Sequence, residues 1–134
     1  DAAILAGYVQ LLEEVGPSIV VSHSQGGVFA IWLAHVRPDL VKAVVALEPA
    51  AIPMMDESGC AYDTPTLIVM GDNTAQDARW PRMRKRLQAF QQAHPCIAWL
   101  DLPEDGLTGN SHVMMMELNH FDIADRVCEW IQRQ

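Results

Sequence analysis

The chain has 134 residues, 50% of them hydrophobic and 19% charged, with a formal net charge of −8. That balance belongs to a globular domain and excludes a disordered segment. So acidic a chain also lacks the surplus of Lys and Arg that general nucleic-acid binding requires. Its apolar runs, such as Ile19 to Val21 and Val41 to Leu47, fall far short of the roughly 20 residues that cross a bilayer. No signal pattern opens it, so the reading is a soluble chain whose compartment is undetermined. Asp1 rather than Met stands first and leads straight into a helical pattern. The 134 residues are therefore expected to be part of something longer.

Ile4, Leu5, Tyr8, Val9, Leu11, Leu12 and Val15 recur at helical spacing until Gly16-Pro17 stops them, which predicts an amphipathic helix. Ser18 to Ser22 is a short β-branched run of the kind buried on both faces of a sheet. A sharp His23-Ser24-Gln25-Gly26-Gly27 segment follows, and Val28, Ile31, Trp32, Leu33 and Val36 then predict a helix ending before Arg37-Pro38. Val41 to Leu47 reads as a second strand ending in Glu48-Pro49, and a long loop from about Ala50 to Pro65 precedes a third, Thr66 to Met70. Gly71-Asp72 closes it. Trp80-Pro81 opens a helix to about Ala93, and Cys96 to Leu100 reads as a fourth strand. A polar loop from Asp101 to Ser111 leads to His112, a short Met-rich helical stretch and a terminal helix from about Phe121 to Arg133. Alternation of short buried strands with amphipathic helices predicts an α/β fold, a parallel sheet with helices on both faces.

Cys60, Cys96 and Cys128 are widely spaced and contain no CxxC pair. A zinc ribbon is therefore not expected, and buried thiols are. HExxH, GxxxxGK and GxGxxG patterns are absent as well, so neither a metal nor a nucleotide cofactor is expected. Five of the nine basic residues fall between Arg79 and Arg86, which reads as a solvated helix face.

The most specific feature is Ser22-His23-Ser24-Gln25-Gly26-Gly27. It places a serine between small residues where a strand meets a helix, the arrangement of a nucleophile elbow. Small flanking residues let the backbone turn sharply and lift the Ser24 hydroxyl clear of the sheet. The usual pattern begins with glycine, and Ser22 stands in that place. The backbone N–H of Gln25, next after the serine at a helix N-terminus, is positioned to serve as one oxyanion donor.

A serine hydroxyl becomes nucleophilic only when an oriented base takes its proton. His112 and His120 are the candidate bases, because His23, His35 and His94 read as structural or surface residues. His112, in a loop after the last strand, is preferred, since His120 reads as a residue near the N-cap of the terminal helix. Two acids compete. Glu48 and Asp72 end the second and third strands, at the sheet edge that also carries Ser24, and spacing alone does not choose between them.

The elbow, Leu47-Glu48-Pro49, Gly71-Asp72 and Gly109-Asn110-Ser111-His112-Val113-Met114-Met115-Met116 together resemble a group of bacterial carboxylesterases with the α/β-hydrolase fold. That resemblance implies Ser24 as nucleophile, Glu48 as orienting acid and His112 as base, with Asp72 as the alternative acid. It implies a small-molecule ester as substrate and no cofactor. An acyltransferase with the same triad, or a hydrolase-fold protein that only binds ligands, are the competing readings. Met54, Met55, Met114 and Met115 are candidates for a substrate pocket, because thioethers adapt to irregular apolar ligands. In the resembled fold the nucleophile strand is the fifth of eight. The chain is thus expected to be the C-terminal part of one domain, partnered by a missing N-terminal half, with the first strand otherwise a bare apolar edge.

Overall fold

Val, Ile and Leu crowd four short segments, and each becomes a strand of one sheet. The computed structural model describes residues 1–53 and 62–134. Along the chain, α1 (Ala2–Val15) precedes β1 (Ser18–His23), α2 (Gln25–Val36), β2 (Val41–Leu47), β3 (Thr66–Met70), α3 (Trp80–Ala93), β4 (Ile97–Asp101) and α4 (His120–Ile131). Short 3-10 turns form at Asp72–Gln76 and Met114–Met116. The strands lie in sequence order, β1-β2-β3-β4, and every neighbouring pair is parallel. The α/β expectation therefore holds; β1 runs one residue further than expected, to His23, and β4 is shifted by one residue, to Ile97–Asp101.

Side chains alternate across a strand, and that alternation divides the core in two. One face carries Val44, Ala46, Ile68, Met70 and Ile97, packed against Leu12 of α1, Ile31 and Leu33 of α2, and Leu87 and Phe90 of α3. The opposite face carries Val45, Leu67 and Val69, packed against Leu102, Met114 and Ile123 of α4. Central β2 and β3 consequently read as continuous apolar runs, as strands covered on both faces do.

The first strand departs from that pattern. Ile19 and Val21 are 39% and 58% exposed, whereas Val20 packs against the α1–α3 core. The reading of β1 as buried on both faces is thus corrected for the described residues: β1 stands at the end of the four-stranded sheet, and its Ile19 and Val21 side is only partly covered. The bare-edge expectation describes it better.

The thiol expectation also needs correction, because Cys128 is exposed and Cys96 half-buried, both unpaired. Cys96 donates to the Tyr62 carbonyl at 3.1 Å, and burial pushes its thiol up. Cys60, like Met54 and Met55, lies outside the described residues. Among the described residues no helix is long and apolar enough to cross a membrane.

Candidate active site

The parallel register brings the functional strand ends together. His23 is level with Leu47 across β1 and β2, and Leu47 with Val69 across β2 and β3. Ser24 and Glu48, the next residues along, therefore leave adjacent strands side by side. Both do so with positive φ, 55° at Ser24 and 41° at Glu48, and among the described residues they are the only non-glycine positions of that kind. Left-handed backbone is costly for a residue with a Cβ, about 1–3 kcal/mol, and persists where surrounding bonds impose it. Here the Ser24 N–H donates to the Leu47 carbonyl at 3.0 Å, and the Ser24 carbonyl accepts from Gly27 at 3.0 Å and Ala50 at 2.9 Å. The Glu48 N–H donates to the Val69 carbonyl at 2.8 Å. Each strained residue is locked to its neighbouring strand.

The elbow's steric demands fall one residue later than the motif suggests. A Cβ on Gly26 would meet Ser22 Cβ at an ordinary 3.8 Å, whereas a Cβ on Gly27 would sit 2.7 Å from Pro49 Cβ. Gly27 is the glycine that lets α2 pack against the Glu48-Pro49 corner. Ser22 is accommodated because its hydroxyl donates to the Val45 carbonyl at 3.1 Å.

His112 reaches this corner from the loop after β4. Its Nδ1 lies 2.8 Å from Glu48 Oε2 and its Nε2 lies 2.9 Å from Ser24 Oγ. A carboxylate only accepts hydrogen bonds, so Nδ1 carries the proton and Nε2 is left as acceptor for the Ser24 hydroxyl. Glu48 is almost fully buried, with its other oxygen, Oε1, accepting the Gly71 N–H at 2.9 Å. The imidazole itself is half exposed. Gln25 is the first residue of α2, so its N–H belongs to the turn that has no intrahelical acceptor. The arrangement can draw a proton from Ser24 onto an oriented imidazole and present an N–H to an oxyanion beside it.

Other sequence candidates fall elsewhere. Asp72 does not touch His112. Its two carboxylate oxygens accept the backbone N–H groups of Gly109 at 2.9 Å and Asn110 at 2.6 Å. Met114 is fully buried in the α4-side core, so the expectation that it lines a pocket is corrected: it has no surface to offer a ligand. Met115 remains 41% exposed. His120 opens α4 and its Nδ1–H donates to the Glu117 carbonyl at 2.7 Å, away from Ser24. The basic cluster is a helix face, as expected, with Arg79 paired to Asp77 and Arg84 to Asp101 and Glu104. Arg79, Arg82 and Arg86 also border an open cavity of about 260 Å³ with Ala50, Ala51, Ile52 and Met83.

Sequence reasoning assigned His23 a bland role, yet its Nε2–H donates to the His112 carbonyl at 2.7 Å and the two rings lie 4.6 Å apart. Glu117 accepts the Ser111 N–H at 3.2 Å. Neither contact has a local signature. Gly71 did carry one, a glycine directly after a strand, and its need is explicit: a Cβ there would sit 2.8 Å from Glu48 Oε1.

No family model matches the chain. Among solved structures it superposes on a bacterial esterase, described as novel, with a TM-score of 0.86 and 30% identity, over 96% of this chain and 42% of that one. The fold is that of the α/β-hydrolases. A predicted hydrolase from Thermoplasma acidophilum matches all of this chain and 61% of its own, at TM-score 0.72 and 17% identity, and shares the fold. A probable secreted lipase of a fungus (Fungal sp., strain ATCC 74256) is 30% identical over 92% of this chain and 48% of its own length. The lipase LipV of Mycobacterium tuberculosis is 57% identical over 35 residues, 26% of this chain and 13% of that protein. The chain thus spans half or less of the curated relatives it matches.

Proposed function

We propose that this α/β-hydrolase chain cleaves carboxylic esters through an acyl-enzyme, with Ser24 as nucleophile, His112 as general base and acid, and Glu48 as the acid that orients it. The observation that carries this reading is the continuous hydrogen-bonded path from Ser24 Oγ through both nitrogens of His112 to Glu48. Relatives named lipase and esterase support the ester as substrate class.

In the first half-reaction Ser24 Oγ attacks the ester carbonyl carbon while its proton passes to His112 Nε2. The Gln25 N–H stabilises the resulting oxyanion. As the tetrahedral intermediate collapses, His112 returns that proton to the departing alkoxide, the C–O bond to the alcohol breaks and the acyl group stays on Ser24. Water then attacks the acyl carbonyl carbon as its proton passes to His112 Nε2; the bond from that carbon to Ser24 Oγ breaks, His112 returns the proton to Oγ, and the carboxylic acid leaves. Glu48 keeps its charge throughout, fixing the Nδ1–H tautomer and favouring the imidazolium. The open β1 edge and a lipase relative matched over only 48% of its length support one further proposal. Additional strands of the same domain pair with β1, and the second oxyanion donor comes from that part.

The test is labelling of the full chain by a fluorophosphonate, followed by mapping of the modified residue. Attachment at Ser24, abolished in His112→Ala, is the expected outcome; attachment elsewhere, or none, overturns the reading.

A further inference from the structure

The carboxylate that ends β3 faces away from the imidazole, and what it holds instead is the loop that carries the imidazole. Asp72 accepts two successive backbone N–H groups, Gly109 on Oδ2 and Asn110 on Oδ1. Two consecutive amides point at one anion only if the backbone between them makes a concave turn, and Gly109 supplies it at φ 88°. Such charge-assisted bonds are shorter and stronger than neutral ones. Their electrostatics is visible in the carboxyl: desolvation pushes it up, yet the amides of Gly109 and Asn110, with Asp72's own N–H, outweigh this and hold it below the usual carboxylate range.

Elsewhere the loop is fixed by Leu107 against the α4-side core, by Asn119 Nδ2–H donating to the Thr108 carbonyl at 3.2 Å and by Glu117 accepting the Ser111 N–H at 3.2 Å. His112 is half exposed, Val113 is partly exposed, and the nearest fully buried apolar anchors are Leu102 and Met114. Asn110 is buried and bonds within the loop, to the Leu107 carbonyl at 3.0 Å. From the strand ends, Asp72 grips the loop two residues before His112, and His23 grips the His112 carbonyl.

We infer that Asp72 is a positioning residue: its carboxylate clamps residues 109 and 110 so that the His112 imidazole stands between Ser24 and Glu48. One strand end then serves both the base and its acid, since Gly71 N–H holds Glu48 and the next residue holds the His112 loop. The assignment rests on the proposed roles of Ser24, Glu48 and His112. It differs from the sequence expectation for Asp72, which made it a competing acid.

The isosteric Asp72→Asn variant tests it, because an amide can accept one of the two N–H groups but turns its own NH₂ against the other. In the full chain, kcat on a short-chain nitrophenyl ester is expected to fall about 10- to 100-fold, the scale of a base displaced by about 1 Å. KM should stay within about twofold, since no contact to bound ester changes. The fluorophosphonate labelling rate should fall by the same factor as kcat, with circular dichroism showing the variant folded at the assay temperature. A kcat unchanged in Asp72→Asn while Ser24→Ala is inactive overturns the clamp and leaves the reaction assignment standing. Full activity in Ser24→Ala overturns both. A kcat loss that vanishes when rates are divided by active sites titrated also overturns the clamp, because it reflects misfolded protein alone. Should Asp72→Asn not fold, amide hydrogen exchange in the unmutated protein decides: protection at Gly109 and Asn110 supports the clamp, and exchange at the rate of open loop amides overturns it.

Discussion

The two sides of the candidate site are built by different physics. Ser24 and Glu48 project from the ends of β1 and β2, where sheet hydrogen bonds and the Pro49 contact with Gly27 force both backbones into positive φ. His112 stands on irregular chain, placed by side chains borrowed from β1, β2 and the end of β3, namely His23, Glu48 and Asp72. Strain marks the first side and borrowed hydrogen bonds mark the second. Under the proposed roles, the nucleophile and its acid gain from rigid strand ends, whereas the base, which must take and return a proton, sits on irregular chain, where local opening costs less.

The comparison can be broken most sharply at the reacting atoms. Ser24→Ala or His112→Ala should each lower kcat about 10⁴-fold or more, measured on a nitrophenyl ester. Glu48→Gln should cost somewhat less, on the order of 10³- to 10⁴-fold, because the amide no longer fixes the imidazole tautomer. The same loss in Asp72→Asn would transfer the acid's role to Asp72 and erase the contrast.

Smaller changes sharpen it. Gly27→Ala drives a Cβ to within 2.7 Å of Pro49 Cβ and 3.1 Å of its Cα, an overpacking that should cost about 1–3 kcal/mol in a denaturant titration. Gly71→Ala pushes on Glu48 Oε1 and on Asn110 at once, so it should depress activity more than Gly27→Ala for a similar loss of stability. Acid titration should give the smallest effect. Desolvation pushes the Asp72 carboxyl up, but the backbone amides of Gly109, Asn110 and Asp72 itself outweigh it and hold the group below its ordinary value, so its stabilisation is complete above the unfolded-state pKa of about 3.9. It is lost as pH falls through the folded value. The stability gap between the unmutated chain and Asp72→Asn should therefore be constant near neutrality and close below about pH 4.

Much of this was legible beforehand because it is local. β-Branched runs declare β2 and β3, Gly16-Pro17 and His94-Pro95 stop helices, and a serine among small residues between strand and helix declares the elbow. The misreadings have a common cause. Val21 looks the same on a covered sheet face and a bare one, and only the reach of α4 distinguishes them. Met114 looks the same in a pocket and a core. His23 looks inert until the chain returns 89 residues later to set the His112 carbonyl against it.

By itself the sequence determined the alternation of strands and helices, the parallel sheet and the serine at the turn, since periodicity and turn chemistry act over a few neighbouring residues. Only the tertiary structure separated the two carboxylates. Glu48 and Asp72 end adjacent strands with the same functional group, and the distinction lies in what the returning loop offers each: an imidazole nitrogen across 64 residues to one, two backbone amides across 37 and 38 residues to the other. Contacts at such separations exist only once the sheet has brought its strand ends to a common edge, which no local pattern encodes.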